Sequence, residues 1–293
     1  MPLDSPRLLA AAITACAVLA TACGAVDDAP DTAATDTPSA IVSLSPVSTE
    51  LLYAVGAGDQ VIAVDDQSDY PAGVPVTELS GYTPNVEAIL GYEPDLVVAN
   101  ADTADLVAGL EQAGVETLIL PAATTLDDTY AQIEQVGAAT GHVSDAAELV
   151  AQMRTEVDEI LAGLPEHEVP LRYYHELDNT YYSVTDDTYI GEIFSMLGLT
   201  SIATGEIGYP QLSSEFILEE NPDVVFLADG QCCGVTPENV AQRAGWNELT
   251  AVRDGHVYVL DEDIASRWGP RVVDLMREVA RIVTGIPAAQ TAP

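Results

Sequence analysis

Lysine is missing from this chain of 293 residues, and its nine basic residues are all arginine. Against them stand 47 aspartates and glutamates, for a formal net charge of −38. No arginine lies between Arg7 and Arg154, so the first half of the sequence is a polyanion. Such a surface lacks the cations that phosphate contacts require, which excludes nucleic acid as a partner. It equally excludes adsorption to anionic lipid through the protein surface. The general explanation of the acidity is solubility or adaptation to salt.

Catalytic signatures are missing too. There is no Gly-x-Ser-x-Gly elbow, no phosphate-binding glycine loop and no His-Glu-x-x-His. The four histidines, His142, His167, His175 and His256, are dispersed and offer no tetrahedral zinc cluster. Acid pairs such as Asp186-Asp187 read as turn residues, and no spacing supports a two-carboxylate glycosidase. The expectation is a protein that is not an enzyme, with no catalytic residue, no resident metal and no cofactor. A metal-dependent cell-envelope enzyme is the alternative of a different class, and a scaffold without a ligand is a third.

Apolar runs of any length are confined to Leu8–Ala22, which follows Arg7 and is too short to span a membrane. The run ends Leu19-Ala-Thr-Ala22-Cys23, which resembles a bacterial lipoprotein signal whose cysteine is lipidated. Cys16 fits a similar pattern, but cleavage there would leave apolar residues outside the signal. An ordinary secretory signal with two incidental cysteines is the simpler alternative. Residues 23–40 then read as the lipidated Cys23 and a flexible tether of Ala, Thr, Pro and Asp. The expectation is an exported protein at the outer face of the cytoplasmic membrane, with membrane contact through the lipid anchor only.

Beyond the tether the chain alternates short apolar strands with helices, which implies mainly parallel sheets with ligands at the strands' carboxyl ends. A one-sided helix is expected over 144–164, from the spacing of Ala146, Val150, Met153, Val157, Ile160 or Leu161, and Leu164, with Ser144 as N-cap and Pro165 as terminator. The sequence before it echoes the sequence after it. Glu87-Ala-Ile-Leu followed by Pro94-Asp95-Leu-Val answers Glu215-Phe-Ile-Leu followed by Pro222-Asp223-Val-Val. A weaker echo pairs Glu50–Gly56 with Glu192–Gly198. Two matches in the same order predict two similar α/β lobes joined by one long rigid helix. The expected division is a signal over 1–22, lipidated cysteine and tether over 23–40, an N-terminal lobe over 41–143, the connecting helix, and a C-terminal lobe over 165–293. A closing helix from Val272 to Val283 ends the second lobe.

Several groups are candidate ligand contacts in a cleft between such lobes. In the first lobe they are Ser45, Pro46, Gln67, Tyr70 and Tyr82. In the second, His175, Glu176 and Asp178 close a strand flanked by Tyr173, Tyr174, Tyr181 and Tyr182, either as a polar, aromatic wall or as an ordinary half-buried strand. Arg267 beside Trp268 has the chemistry to hold a carboxylate and stack on a flat ligand, while Arg271 has the alternative of a structural ion pair. Cys232 and Cys233, between glycines, have three readings: a strained vicinal disulfide lining the site or clasping its own loop, two free thiols, or soft-metal ligands.

The segments Ser43-Leu-Ser-Pro46, Thr49-Glu50-Leu-Leu-Tyr-Ala54, Ser68-Asp-Tyr-Pro71, Asn85-x-Glu87 and Gly269-Pro-Arg271 resemble the substrate-binding proteins of ABC importers for cobalamin and ferric siderophores. The likeness spans Ile41 to Ile282. It implies a monomer with a preformed ligand cleft between two lobes and a permease dimer as partner. The cargo it implies is a corrinoid or ferric siderophore, with heme or another metal chelate as the runner-up. It also implies that Glu87 and Glu215, one per lobe tip, dock on arginines of the permease. An aromatic near Gln67 and a tryptophan near Gly81, frequent in that family, are absent here.

Overall fold

The computed structural model describes residues 37–165 and 169–287. The expected signal, Cys16, Cys23 and most of the tether lie outside the described residues. Ser39 and Ala40, at the end of the expected tether, are fixed to the first lobe, their amides donating to the Asp95 carboxylate at 2.9 and 3.1 Å.

Eight strands make two four-stranded, all-parallel sheets. The first holds β1 (Ile41–Ser43), β2 (Val61–Val64), β3 (Leu96–Ala99) and β4 (Glu116–Ile119), in the order β2-β1-β3-β4. The second holds β5 (Leu171–Glu176), β6 (Leu199–Ser201), β7 (Val224–Leu227) and β8 (Val257–Val259), in the order β6-β5-β7-β8. The two orders describe the same path, so the internal echo of the sequence is an echo of topology.

Helices run back between the strands, as parallel pairing requires. Those of the first half are α1 (Pro46–Ala54), α2 (Val86–Leu90), α3 (Leu106–Gln112) and α4 (Leu126–Thr140), followed by the connecting α5 (Val143–Ala162). The second half has α6 (Tyr189–Met196), α7 (Ser214–Glu220), α8 (Gly230–Cys233), α9 (Pro237–Ala241), α10 (Thr250–Arg253), α11 (Glu262–Ser266) and α12 (Val272–Gly285). The echoing segments are equivalent elements: α1 matches α6, and α2 with β3 matches α7 with β7.

Strand alternation distributes the core. On β3, Leu96 and Val98 join a central cluster while Val97 and Ala99 face an outer one; on β7, Val224 and Phe226 divide from Val225 and Leu227 in the same way. The central cluster is continuous across both halves and includes Leu51 of α1, Met153 of α5, Phe194 of α6 and Met276 of α12. The expected stripe of α5 is buried at Ala146, Val150, Met153 and Val157. Both α4 and α12 pack against α5, so three helices form the layer behind the sheets.

Several boundaries differ from expectation. Ser144 lies inside α5, and the helix instead starts where Gly141, at φ 81°, turns the chain out of α4. Gly163 caps the other end, two residues before Pro165. The first helix is capped by Ser45, whose hydroxyl accepts from the Ser48 amide, and Pro46 suits the first helical position. Tyr182 makes one isolated bridge, to Gln211, and Tyr181 sits at φ 71°. The helix α4 starts from a capping box of Thr125 and Asp128 and buries Leu126, Tyr130, Ile133 and Val136 along one face.

Candidate ligand-binding cleft

In parallel sheets the loops that follow the strands gather at one end, and here the loops of the two halves meet there. The contact that shows it is Arg267, beyond the end of β8, whose guanidinium donates to Glu50 on α1 at 3.0 Å and to Asp69, beyond β2, at 3.3 Å. Its other nitrogen donates to Asp263 at 2.6 Å. Arg271 adds two bonds to the Glu50 carboxylate, at 2.9 and 2.5 Å, and lies 4.0 Å above the Tyr70 ring. Glu50 is 3% exposed, so a buried acid of the first lobe is held by two arginines of the second. A mirror contact exists: Glu192, its equivalent on α6, accepts from the Leu126 amide at the start of α4, at 2.8 Å.

This arrangement occupies Arg267 and Arg271, which the sequence offered as holders of an anionic ligand. Trp268 is half-buried, and its indole donates to Gln132 on α4 at 3.2 Å. A hollow of about 270 Å³ lies beside the junction, lined by Glu50, Tyr53, Tyr70, Pro71, Pro270 and Arg271 among others. It falls just short of the range usual for drug-sized ligand pockets.

Beneath the tip of β1 runs a chain of buried hydroxyls. Thr49 donates to the Ser45 carbonyl at 3.0 Å and lies 2.8 Å from the Ser68 hydroxyl, which in turn meets Asp65. Asp65 is buried, and burial raises its pKa, partly offset by the Ser68 hydroxyl. Ser45 is therefore a buried helix cap, Pro46 is half-buried, and Gln67 and Tyr82 are exposed, Tyr82 by 80%.

At the tip of β5, His175 and Glu176 are both fully buried rather than presented at a wall. Neither ring nitrogen of His175 has a hydrogen-bond partner, and burial lowers its pKa to about 4, so the ring is neutral near pH 7. Glu176 accepts two bonds from Arg243, at 2.5 and 2.6 Å, and one from the Tyr174 hydroxyl at 3.2 Å. The Arg243 guanidinium lies 4.6 Å from the Trp246 ring and 5.4 Å from Tyr181. Asp229, beyond β7, is also fully buried without a hydrogen-bond partner; burial and then the Glu176 charge push its pKa up to about 7.

Asp229 leads into α8, where Cys232 and Cys233 are joined to each other and exposed. Glu262 on α11 fixes this short helix by accepting from the Cys232 amide at 2.8 Å. The exposed apolar groups near the tips include two that sequence reasoning missed, Ile207 and Tyr209, between β6 and α7. Tyr209 precedes Glu215 by nearly the same interval as Tyr82 precedes Glu87, and that echo was the available signal. Tyr182 is also exposed. Among the described residues no group of three or more His, Cys, Asp or Glu is placed to hold a metal ion.

Glu87 and Glu215 are exposed in the first turns of α2 and α7, behind the caps Asn85 and Ser213. Neither takes part in an ion pair among the described residues. Equivalent topology puts one on each lobe.

Two facing α/β lobes with this repeated sheet order define a bilobal binding protein, and the chain belongs to the periplasmic binding protein family, whose pattern matches residues 41–264. It is 31% identical, over 84% of its length and 80% of the relative's, to an uncharacterized ABC transporter substrate-binding lipoprotein of Bacillus subtilis. It is likewise 31% identical to a cobalamin-binding protein of Halobacterium salinarum, over 86% of this chain and 72% of that one. The crystal structure of the periplasmic vitamin B12-binding protein of Vibrio cholerae superposes with a TM-score of 0.68 at 28% identity, covering 84% of this chain and 97% of that one.

Proposed function

We propose that this chain is the lipid-anchored solute receptor of an ABC importer, capturing a corrinoid or ferric chelate between its lobes and releasing it unchanged to the permease. The carrying observation is the meeting of two topologically identical lobes at their strand tips, where Tyr82, Tyr182, Ile207 and Tyr209 stay exposed. Exposed aromatics on two walls suit a large ligand with an apolar face, and the relatives' names point to the same cargo. Gln67, Tyr70 and the Cys232–Cys233 turn complete the rim in this reading. His175 and Glu176 support the wall from beneath, and Glu50 with Arg267 and Arg271 fixes the distance between the lobes. Trp268, bonded to α4, sits next to that junction and reports on it.

The test is thermal unfolding of the full-length protein in detergent with cobalamin, cobinamide, hemin and ferric hydroxamates. A true ligand at a hundred times its Kd adds about 2.7 kcal/mol of stability. A shift with one class names the cargo, and no shift with any of them rejects the reading.

A further inference from the structure

The sign of charge at the strand tips narrows the ligand class. Seven of the eight arginines among the described residues are in ion pairs. Three of them belong to tip segments, and each is occupied: Arg243 by Glu176, Arg267 by Glu50, Asp69 and Asp263, and Arg271 by Glu50. The eighth, Arg253, ends α10 ahead of β8, at the opposite end of the sheet. His175 is buried and neutral near pH 7. The acids at the same tips outnumber their partners. Asp66 beyond β2, Asp178 beyond β5 and Asp261 beyond β8 have no arginine.

Resting on the solute-receptor reading above, we infer that the cleft takes an uncharged or cationic metal chelate and rejects anionic ones, including porphyrins with free propionates and chelates bearing carboxylates. A like charge brought to these unpaired carboxylates is repelled, and among the described residues no free guanidinium lies at the tips to compensate. The exposed tyrosines supply the uncharged part of the contact, stacking on a flat or apolar face.

Ligands of one shape and different charge test this. Full-length protein in detergent is titrated, by tryptophan quenching, with aquacobalamin (one net positive charge), cyanocobalamin (neutral) and a cobalamin monocarboxylate (one net negative charge). A second series uses ferrioxamine B, with its ammonium, and its succinyl derivative, with a carboxylate instead. In whichever series binds, the anionic member is expected to bind about tenfold or more weaker than the cationic one at low salt, with the gap shrinking as salt is added. Asp66→Arg should narrow the gap, whereas Glu116→Arg, exposed at the amino end of β4, should leave it. An anionic member that binds as tightly as the cationic one overturns the inference and leaves the receptor reading intact. Equal narrowing by the two variants assigns the effect to net charge and overturns its placement in the cleft. No binding of any member overturns the receptor reading and the inference with it.

Discussion

Glu50 and Asp229 are buried acids with opposite circumstances. Glu50 accepts from two arginines of the other lobe, so neutralising it leaves the Arg271 guanidinium without an acid partner in a partly buried site, while Arg267 keeps Asp69 and Asp263. Glu50→Gln is expected to cost about 3 kcal/mol in chemical denaturation, while Glu87→Gln, exposed and unpaired, should be neutral. Asp229 has no cationic partner and feels the Glu176 carboxylate instead, and its pKa of about 7 exceeds the ordinary aspartate value near 4. Between about pH 4 and pH 7 the native state therefore holds a proton that the unfolded chain has lost. Its contribution makes stability fall as pH rises through that window and level off above it. His175 acts in the reverse direction. With a folded value of about 4, it resists a proton that the unfolded chain accepts below about pH 6.5, so stability falls as pH drops from there towards 4. Denaturation of Asp229→Asn at pH 5 to 8 should show a profile without the falling slope that the parent has above pH 6.5. An unchanged slope there would rule out Asp229 as its source.

At the scale of elements, the α4–α5 hairpin joins the two lobes. Its close approach depends on Gly137, where a Cβ would stand inside contact distance of Ala146 on α5 and 3.0 Å from the His142 carbonyl. Because α5 buries Ala146, Val150, Met153 and Val157 in the core shared by both lobes, moving it disturbs both. Gly137→Ala should destabilise by about 1–3 kcal/mol through overpacking, despite alanine's better helix propensity. A stability gain in thermal melts would show that the hairpin relaxes freely. The short α8 depends on a different support, the Glu262 carboxylate that accepts its first amides, so the cysteine turn is positioned from α11.

For the whole molecule, the dominant physical fact is a net charge of −38. Self-repulsion of that size opposes compaction and is screened within about 10 Å at 0.1 M salt. Raising sodium chloride from about 0.05 to 0.5 M should therefore raise Tm by several degrees, more than a neutral protein of the same size gains. We propose that Glu87 and Glu215, one on each lobe, meet the permease. Glu87→Arg or Glu215→Arg should abolish uptake in cells while leaving ligand affinity unchanged in titration, because charge at an exposed contact governs docking and association. A loss of affinity in either variant would place that acid at the ligand instead.

The sequence by itself determined the elements and their repetition. Apolar alternation and helical spacing are local properties, so the strands at Leu96–Ala99 and Val224–Leu227, the buried stripe of α5 and the matched positions of Glu87 and Glu215 were legible before folding. The helix α4 was overlooked although it carries the same kind of local signal, a capping box at Thr125 and apolar Leu126, Tyr130, Ile133 and Val136 at helical spacing. Only the tertiary structure decided which charges meet. Glu50 and Arg271 are separated by 221 residues, and nothing in their local sequence distinguishes an ion-paired arginine from a ligand-binding one. The same holds for His175 and Glu176, which the sequence places at a strand end but which the α6 and α9–α10 segments cover completely, through Phe194 and Arg243. Pairing and burial depend on distances through space, which the folded chain alone sets.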